Sequence, residues 1–376
     1  MLKVGIYIFS MIQKLFSPRE EEETKQVISK AQYLHLKEKL QRELDKPTNA
    51  PNWTLNDKRD LLKRIRSETL KLNMNNITRT KAYLEFYKRN PEVHWAFLAH
   101  MVSRNGGYHM TDLKGSIMKD LIPYGDRAKY FLFLEEANAA IFADAYPQLL
   151  LYENFKGSPH FPSNLLGYFH ISRFMIPIWE DFLKNRNSSL LTVALIINEQ
   201  RMLQERILKK RSHIDLINGI DFKLQDFLGF TAVVFPYKKK RKQEYALTGV
   251  TVHRFAEPDK RIMTGKTLYN LLFGYSDVWL GIKDFAFSHS HTASRADYWS
   301  QIFSPNKGNP FKHYSPTLTE AWENCPFSAK TGDWFNDEEF IEDIQTLPEP
   351  RKKDITRIVL RNVLKLDAIG EIKTFI

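Results

Sequence analysis

The residues in this chain with acid, base or ion-pairing chemistry collect in two stretches that are otherwise strongly apolar. The first, NNITRTKAYLEFYKRNPEVHWAFLAHMVSRNGGYHMTDLKG, carries Arg79, His94, His100, Arg104, Asn105, His109 and Asp112. The second, residues 126–154, sets Glu135, Glu136, Asn138 and Asp144 among Phe131–Leu134, Ala139–Ala143 and Leu149–Leu151. A charge buried without a partner is costly, so these groups must be paired or solvated. The economical pairing sets Arg79 and Arg104 against Glu135 and Glu136. Two chemistries are open to such a set. One is a buried ion-pair network that fixes how helices register. The other is a polar pocket at the Gly106-Gly107 turn, where Arg79, Arg104, His109 and Asp112 face an anionic small substrate. Glycine there would let a ligand approach the backbone, and perturbed carboxylates and histidines would do acid/base work.

Other motifs carry less. His289-Ser290-His291 has the spacing by which alternate strand residues reach one metal, but only Asp284 and Asp297 lie near and no second His-rich element completes a set. Gly265-Lys266-Thr267 has the ending of a phosphate-binding loop, but Lys260 stands where the earlier glycine belongs and no apolar strand leads in. No Glu-x-x-His occurs, which leaves a helical-bundle di-iron site without support. The single cysteine, Cys325, excludes an internal disulfide and fits a reducing compartment. Neither a cofactor nor a metal is expected.

The elements that must position these residues are mostly helices. Leu55–Leu72 is amphipathic, with Leu61, Leu62, Ile65 and Leu72 on one face and Arg59, Lys63 and Arg66 on another. Pro91 opens a helix through HWAFLAHMVSRN, with so little polar face that it must be buried, and Gly106-Gly107 is expected to end it. Thr111-Asp112 then reads as the start of a helix over Leu113–Leu121. Residues 126–154 form a long helix containing Pro147, followed by helices over 164–184 and 189–211. From Phe230 the texture changes. TAVVFPY and EYALTGVTVHRF read as two strands around the basic run Lys238, Lys239, Lys240, Arg241, Lys242. The rest is aromatic and irregular, with helices expected over 316–324, 337–347 and 351–366.

Charge bounds the partners. Lys and Arg number 55 against 44 Asp and Glu, a net +11, yet the excess is patchy. Residues 57–89 hold ten basic and four acidic side chains and residues 201–242 eleven and four, whereas residues 333–349 hold seven acidic and no Lys or Arg. Such a counterweight argues against a chain that simply coats nucleic acid. Arg59, Lys63, Arg66 and the 238–242 run are the candidate surface for an anionic partner. At the start, Val4–Ile12 is far below the roughly 20 apolar residues of a spanning helix. With Lys3 and Lys14 it reads as an interfacial anchor or as a loosely packed start. Residues 19–51 read as a charged helical extension, with a helix over 20–46 that is thinly apolar.

SRNGGYHMTDLKG, with NNITRTKAYLEFY and PEVHWAFLAHMV upstream, resembles the YppC-like family of uncharacterised proteins from spore-forming bacteria. The resemblance runs from about Asn52 to the C-terminus. It implies a bacterial intracellular setting and one continuous domain, and it brings no activity and no catalytic residues. The expectation is a mainly α protein: a single large helical domain over 52–376, a β-hairpin insert at about 230–255 and the N-terminal extension. Its expected role is a non-enzymatic structural or interaction factor, cytoplasmic or peripheral at the inner face of the membrane, with a protein or an anionic membrane surface as partner. The alternative is an enzyme using the Arg/His/carboxylate pocket on an anionic small substrate.

Overall fold

The computed structural model describes residues 24–46, 58–118, 122–210, 213, 232–239, 244–251, 257–325, 327, 332–338 and 341–374, with side chains to 365. The apolar segment 1–18 and the basic residues Lys240, Arg241 and Lys242 lie outside the described residues. The architecture is mainly helical, and each described sheet is a two-stranded pair.

Strand β1, Thr24–Gln26, precedes helix α1, Lys30–Asp45. The helix expected from residue 20 therefore starts later. Ser29 sets its beginning: the Ser29 hydroxyl accepts from Gln32 N, and the Gln32 side chain accepts from Ser29 N at 3.0 Å. Its apolar stripe is thin but buried, with Leu40 fully enclosed and Leu36 nearly so. Strand β1 pairs antiparallel with Thr346–Pro348 near the other end of the chain.

Helices α2 (Arg59–Leu72), α3 (Asn76–Arg89), α4 (His94–Asp112) and α5 (Tyr124–Phe155) follow. Asn75 caps α3 reciprocally with Thr78. Helix α4 runs straight through Gly106 and Gly107, which the sequence marked as its end, and takes in Thr111 and Asp112, which were expected to begin the next helix. Two helical glycines each cost up to about 1 kcal/mol. What they admit is packing: a Cβ on Gly107 would lie 2.3 Å from Asn76 Oδ1 and 2.6 Å from His291 Nε2. Pro147 sits inside α5 as expected.

The helix expected over 164–184 is two pieces, a 3₁₀ turn at Ser163–Phe169 and helix α6 at Met175–Asn185. Helix α7, Ser188–Leu203, is capped by Asn187 and leads into a π turn, Gln204–Leu208. Strands β2 (Ala232–Lys238) and β3 (Tyr245–Thr251) form the expected antiparallel hairpin. Beyond it the chain is more regular than its composition indicated, with helices α8 (Pro258–Phe273) and α9 (Ser276–Ser288). The short helices α10 (Ala296–Trp299) and α11 (Leu318–Ala321) flank the pair β4 (Phe303–Ser304) and β5 (His313–Tyr314). Among the described residues of the helix expected over 337–347 there is a 3₁₀ turn, Glu342–Ile344, followed by the strand β6, Thr346–Pro348. Helix α12 spans Thr356–Thr374.

Helix α4 is the hub. It packs on α3, α5, α7, α8 and β2, and α7 in turn lies on α5, α6 and α8. Trp95, Phe97, Met101 and Tyr108 of α4 are almost wholly buried, as are Phe142, Leu149 and Tyr152 of α5 and Ile197 of α7. A helix covered all round has no polar face to spare, so every charged residue on α4 must find its partner inside the protein.

Candidate functional site

Arg79 and Glu135 make the first pair. Their side chains are 1% and 4% exposed, and Arg79 Nη2 lies 2.6 Å from Glu135 Oε2. Arg79 Nη1 also donates to Asn73 Oδ1 at 3.1 Å, and Asn73 in turn donates to Ala139 O. One buried ion pair thus ties α3 to α5.

Arg104 does not join the α5 carboxylates. Its Nε donates to Tyr108 Oη at 3.0 Å, Nη1 to His289 O at 2.8 Å and Nη2 to Ser290 O at 3.1 Å. Asp297 Oδ2 lies 3.8 Å away and the Phe285 ring sits under the guanidinium at 4.4 Å. Glu136, the other carboxylate expected to pair with these arginines, instead meets Lys210 and His213 at a half-buried position on another side of α5. The acceptors that satisfy Arg104 are backbone carbonyls from the end of α9, which no side-chain pattern in the sequence encodes.

A hydrogen-bonded chain extends from there. Thr292 donates its amide and hydroxyl to Asp297 at 3.0 and 2.6 Å. Ala293 N donates to His291 Nδ1 at 3.3 Å, which leaves His291 Nε2–H to donate to Asn76 Oδ1 at 2.9 Å. Asn76 Nδ2 donates to Ser103 O at 2.8 Å, and the Ser103 and Thr80 hydroxyls lie 2.7 Å apart. His100 Nδ1 donates to Thr80 O at 2.8 Å. Gly107 sits against the His291–Asn76 bond, so the close approach for which its missing side chain is needed is made by the protein's own residues. Burial, with Arg104 adding to it, pushes His100 down to about 3, and burial pushes His291 down to about 4. Both are neutral at pH 7. Burial would raise Asp297, but His291 and Thr292 outweigh it and hold the carboxyl below its usual range.

Asp112 completes the cluster from the far end of α4. Arg295 Nε donates to Asp112 Oδ1 at 2.8 Å and Nη2 to Oδ2 at 2.7 Å, while Nη1 donates to Tyr298 Oη. This is a buried two-pronged pair. His109, one turn earlier on α4, is part-buried beside it and is pushed down to about 4 by desolvation and then by Arg295.

Three other predicted residues stand apart. His94 stacks on Phe273 at 4.0 Å between ring centres and bonds Tyr269 Oη at 3.0 Å. Asn105 Oδ1 accepts from Val234 N at 3.0 Å, pinning β2 to α4. Asn138 Nδ2 donates to Leu134 O of its own helix at 2.8 Å, and its amide faces Gly106. The two histidines of the metal-like spacing do not converge on one centre: His289 lies against Tyr245 and Ser288, His291 against Asn76.

Of the basic residues, Arg59, Lys63 and Arg66 are exposed along one face of α2, with Arg66 over the Tyr168 ring at 4.7 Å. Lys238 is exposed, whereas Lys239 pairs with Asp354. No helix among the described residues is long and apolar enough to cross a membrane. The residues that sequence reasoning did not place in the cluster are Asn76, Tyr108, His291, Arg295 and Asp297. For His291, Arg295 and Asp297 the signal was the run SHSHTASRAD, four hydroxyl residues and four ionisable groups just before the aromatic YW of α10.

Residues 71–359 match a family model described as a protein of unknown function, DUF2515. The chain is also 39% identical over 282 residues to the uncharacterized protein YppC of Bacillus subtilis strain 168, an alignment covering 74% of this chain and 84% of that protein. No solved structure matches. The match spans α3 to the start of α12, including every residue of the buried cluster, and the chain belongs to the DUF2515 family.

Proposed function

We propose that this chain is a non-enzymatic interaction factor, cytoplasmic and peripheral to the inner face of the membrane, whose outer α2 face meets the anionic lipid surface. The observation that carries this is the closed state of the cluster. Arg104 is 1% exposed and Glu135 3%; Arg104 donates to Tyr108 and to the carbonyls of His289 and Ser290, and Glu135 forms an ion pair with Arg79. That arrangement supports a framework role over an enzyme acting on an anionic small molecule, which would need those groups at an opening. Outward charge lies elsewhere. Arg59, Lys63 and Arg66 recur at one helical face, the same stripe continues into Leu70, which is 67% exposed, and Met74, just past the end of the helix, is 49% exposed. Cations followed by exposed apolar residues suit an anionic headgroup layer over its acyl boundary.

Co-sedimentation with phosphatidylglycerol vesicles at low salt tests the proposal. The full chain is expected to sediment with them, to be released by added salt, and to stay in solution with phosphatidylcholine vesicles. The triple variant Arg59→Gln, Lys63→Gln, Arg66→Gln should bind several-fold more weakly with its melting temperature intact. Native protein that ignores anionic vesicles at low salt would overturn it.

A further inference from the structure

A cavity of about 160 Å³ lies where α3, α4, α5, α7, α8 and β2 meet. An apolar cavity of about 150 Å³ holds one benzene-sized molecule. Leu98, Ile141 and Ile196 contribute apolar wall, and the rings of Tyr83 and Trp95 lie beside them. Glu199 and Asn138 are among the polar residues that line it. Asn138 is the single residue of the predicted polar pocket that borders the space. Glu199 was not singled out from the sequence.

We propose that this cavity binds a small uncharged molecule of about one ring, bearing a ketone or amide oxygen to which the Glu199 carboxyl donates a hydrogen bond. Glu199 is already held in place: Gln200 Nε2 donates to Oε1 at 2.9 Å and the Trp95 indole donates to the same carboxyl. No described cation forms an ion pair with it, and burial pushes it up to about 7. Near neutral pH it is therefore as much a donor as an anion, and an apolar space favours a neutral guest over a charged one. The charged and titratable groups facing Glu199 are Tyr83 of α3, Asp144 of α5 and Arg261 of α8, while α4 and β2 present Trp95, Ser103 and Val233. Tyr83 is raised well above its ordinary value and stays neutral, and Arg261 stays charged, its Nε and Nη2 donating to Gln200 and Gln204 at 2.9 and 2.8 Å. Asp144, pushed up to about 6, is the other group that titrates nearby.

Acetophenone supplies the ring and the acceptor, and saturation-transfer NMR titrations of the full chain read its binding. Transfer is expected at pH 6, with a Kd roughly tenfold higher at pH 8 as Glu199 loses its proton. Glu199→Gln should keep binding and lose the pH dependence, since its amide still donates; dependence persisting there would come from Asp144 and would overturn the role of Glu199. Ala99→Leu, which grows into the cavity from α4, should abolish transfer, with a thermal melt to check its fold and Val102→Phe as a second filling variant. No transfer to native protein at pH 6, or transfer unaffected by both filling variants, would overturn the site.

Discussion

Gly106 and Gly107 are adjacent in sequence, share a helix, and should respond to the same substitution with opposite signs. A methyl at Gly107 would enter the space of Asn76 Oδ1 and His291 Nε2 at 2.3 and 2.6 Å. Neither can retreat without breaking the bonds that Asn76 donates to Ser103 O and that Ala293 N donates to His291. A methyl at Gly106 would meet Asn138 Oδ1 at 3.4 Å, an ordinary contact. Gly107→Ala is expected to cost about 1–3 kcal/mol by overpacking. Gly106→Ala should be neutral or gain up to about 1 kcal/mol, because alanine is the better helix former. Urea unfolding of the two variants reads the difference, and equal losses would mean that Gly107 is not a packing residue. The residue scale is also where the sequence was least legible. That an arginine of the pair Arg79 and Arg104 would meet a carboxylate of the pair Glu135 and Glu136 followed from buried opposite charges with few alternatives. That Arg104 would meet the carbonyls of His289 and Ser290, 185 and 186 residues away, did not, because every peptide offers the same acceptor.

At the scale of elements, legibility tracked the cleanness of the apolar pattern. Helix α2 was readable because Leu62 and Ile65 alternate with basic residues at helical spacing, and these are the residues that are buried and exposed in the structure. Helix α4 was readable as buried but not in its length, since paired glycines end helices unless packing requires them. Helix α9 was missed because exposed Leu280 and Phe287 interrupt its polar face and Gly281 interrupts its apolar one. A Cβ at Gly281 would fall 2.7 Å from Lys238 O, so the helix lies directly on the backbone of β2. Helix α1 was read as a surface extension, yet its one fully enclosed side chain, Leu40, joins the same core as Trp95 and Phe142. Leu40→Ala is therefore expected to lower stability by about 2–5 kcal/mol. Chemical denaturation measures it, and a variant as stable as the parent would mean that α1 merely rests on the surface.

Across the whole molecule, buried ionisable groups make stability depend on pH in two opposed ways. His94, His109 and His291 are pushed down to about 4 and His100 to about 3, so the folded state excludes protons that the unfolded chain takes up below about 6.5. Their contribution is complete above that pH and is lost as pH falls from about 6.5 toward 4. Glu199 and Asp144 are pushed up to about 7 and about 6, so the folded state holds protons that the unfolded chain releases above about 4. Their contribution is complete at low pH and is lost as pH rises through about 6 to 7. The thermal midpoint should pass through a maximum between about pH 6 and 7, and Glu199→Gln should melt above the parent at pH 8 and with it at pH 5. A midpoint that climbs steadily to pH 9 in both proteins would contradict this. The same groups hold the helices in register, which is the framework on which the outward basic face depends.

The claim that the Arg/His/carboxylate cluster is a closed, self-paired framework rests most directly on Arg79 and Glu135. Urea unfolding of Arg79→Met, Glu135→Leu and the double variant, beside Glu136→Ala, puts it to the test. Each single change at the buried pair strands a charge and should cost about 3–5 kcal/mol, while the double variant removes both charges and should recover most of that loss. Glu136→Ala, at a half-buried pair, should cost less than about 1 kcal/mol. Single variants as stable as the parent, or losses that simply add in the double variant, would mean that Arg79 and Glu135 stand in a solvated opening and that the cluster is a pocket after all.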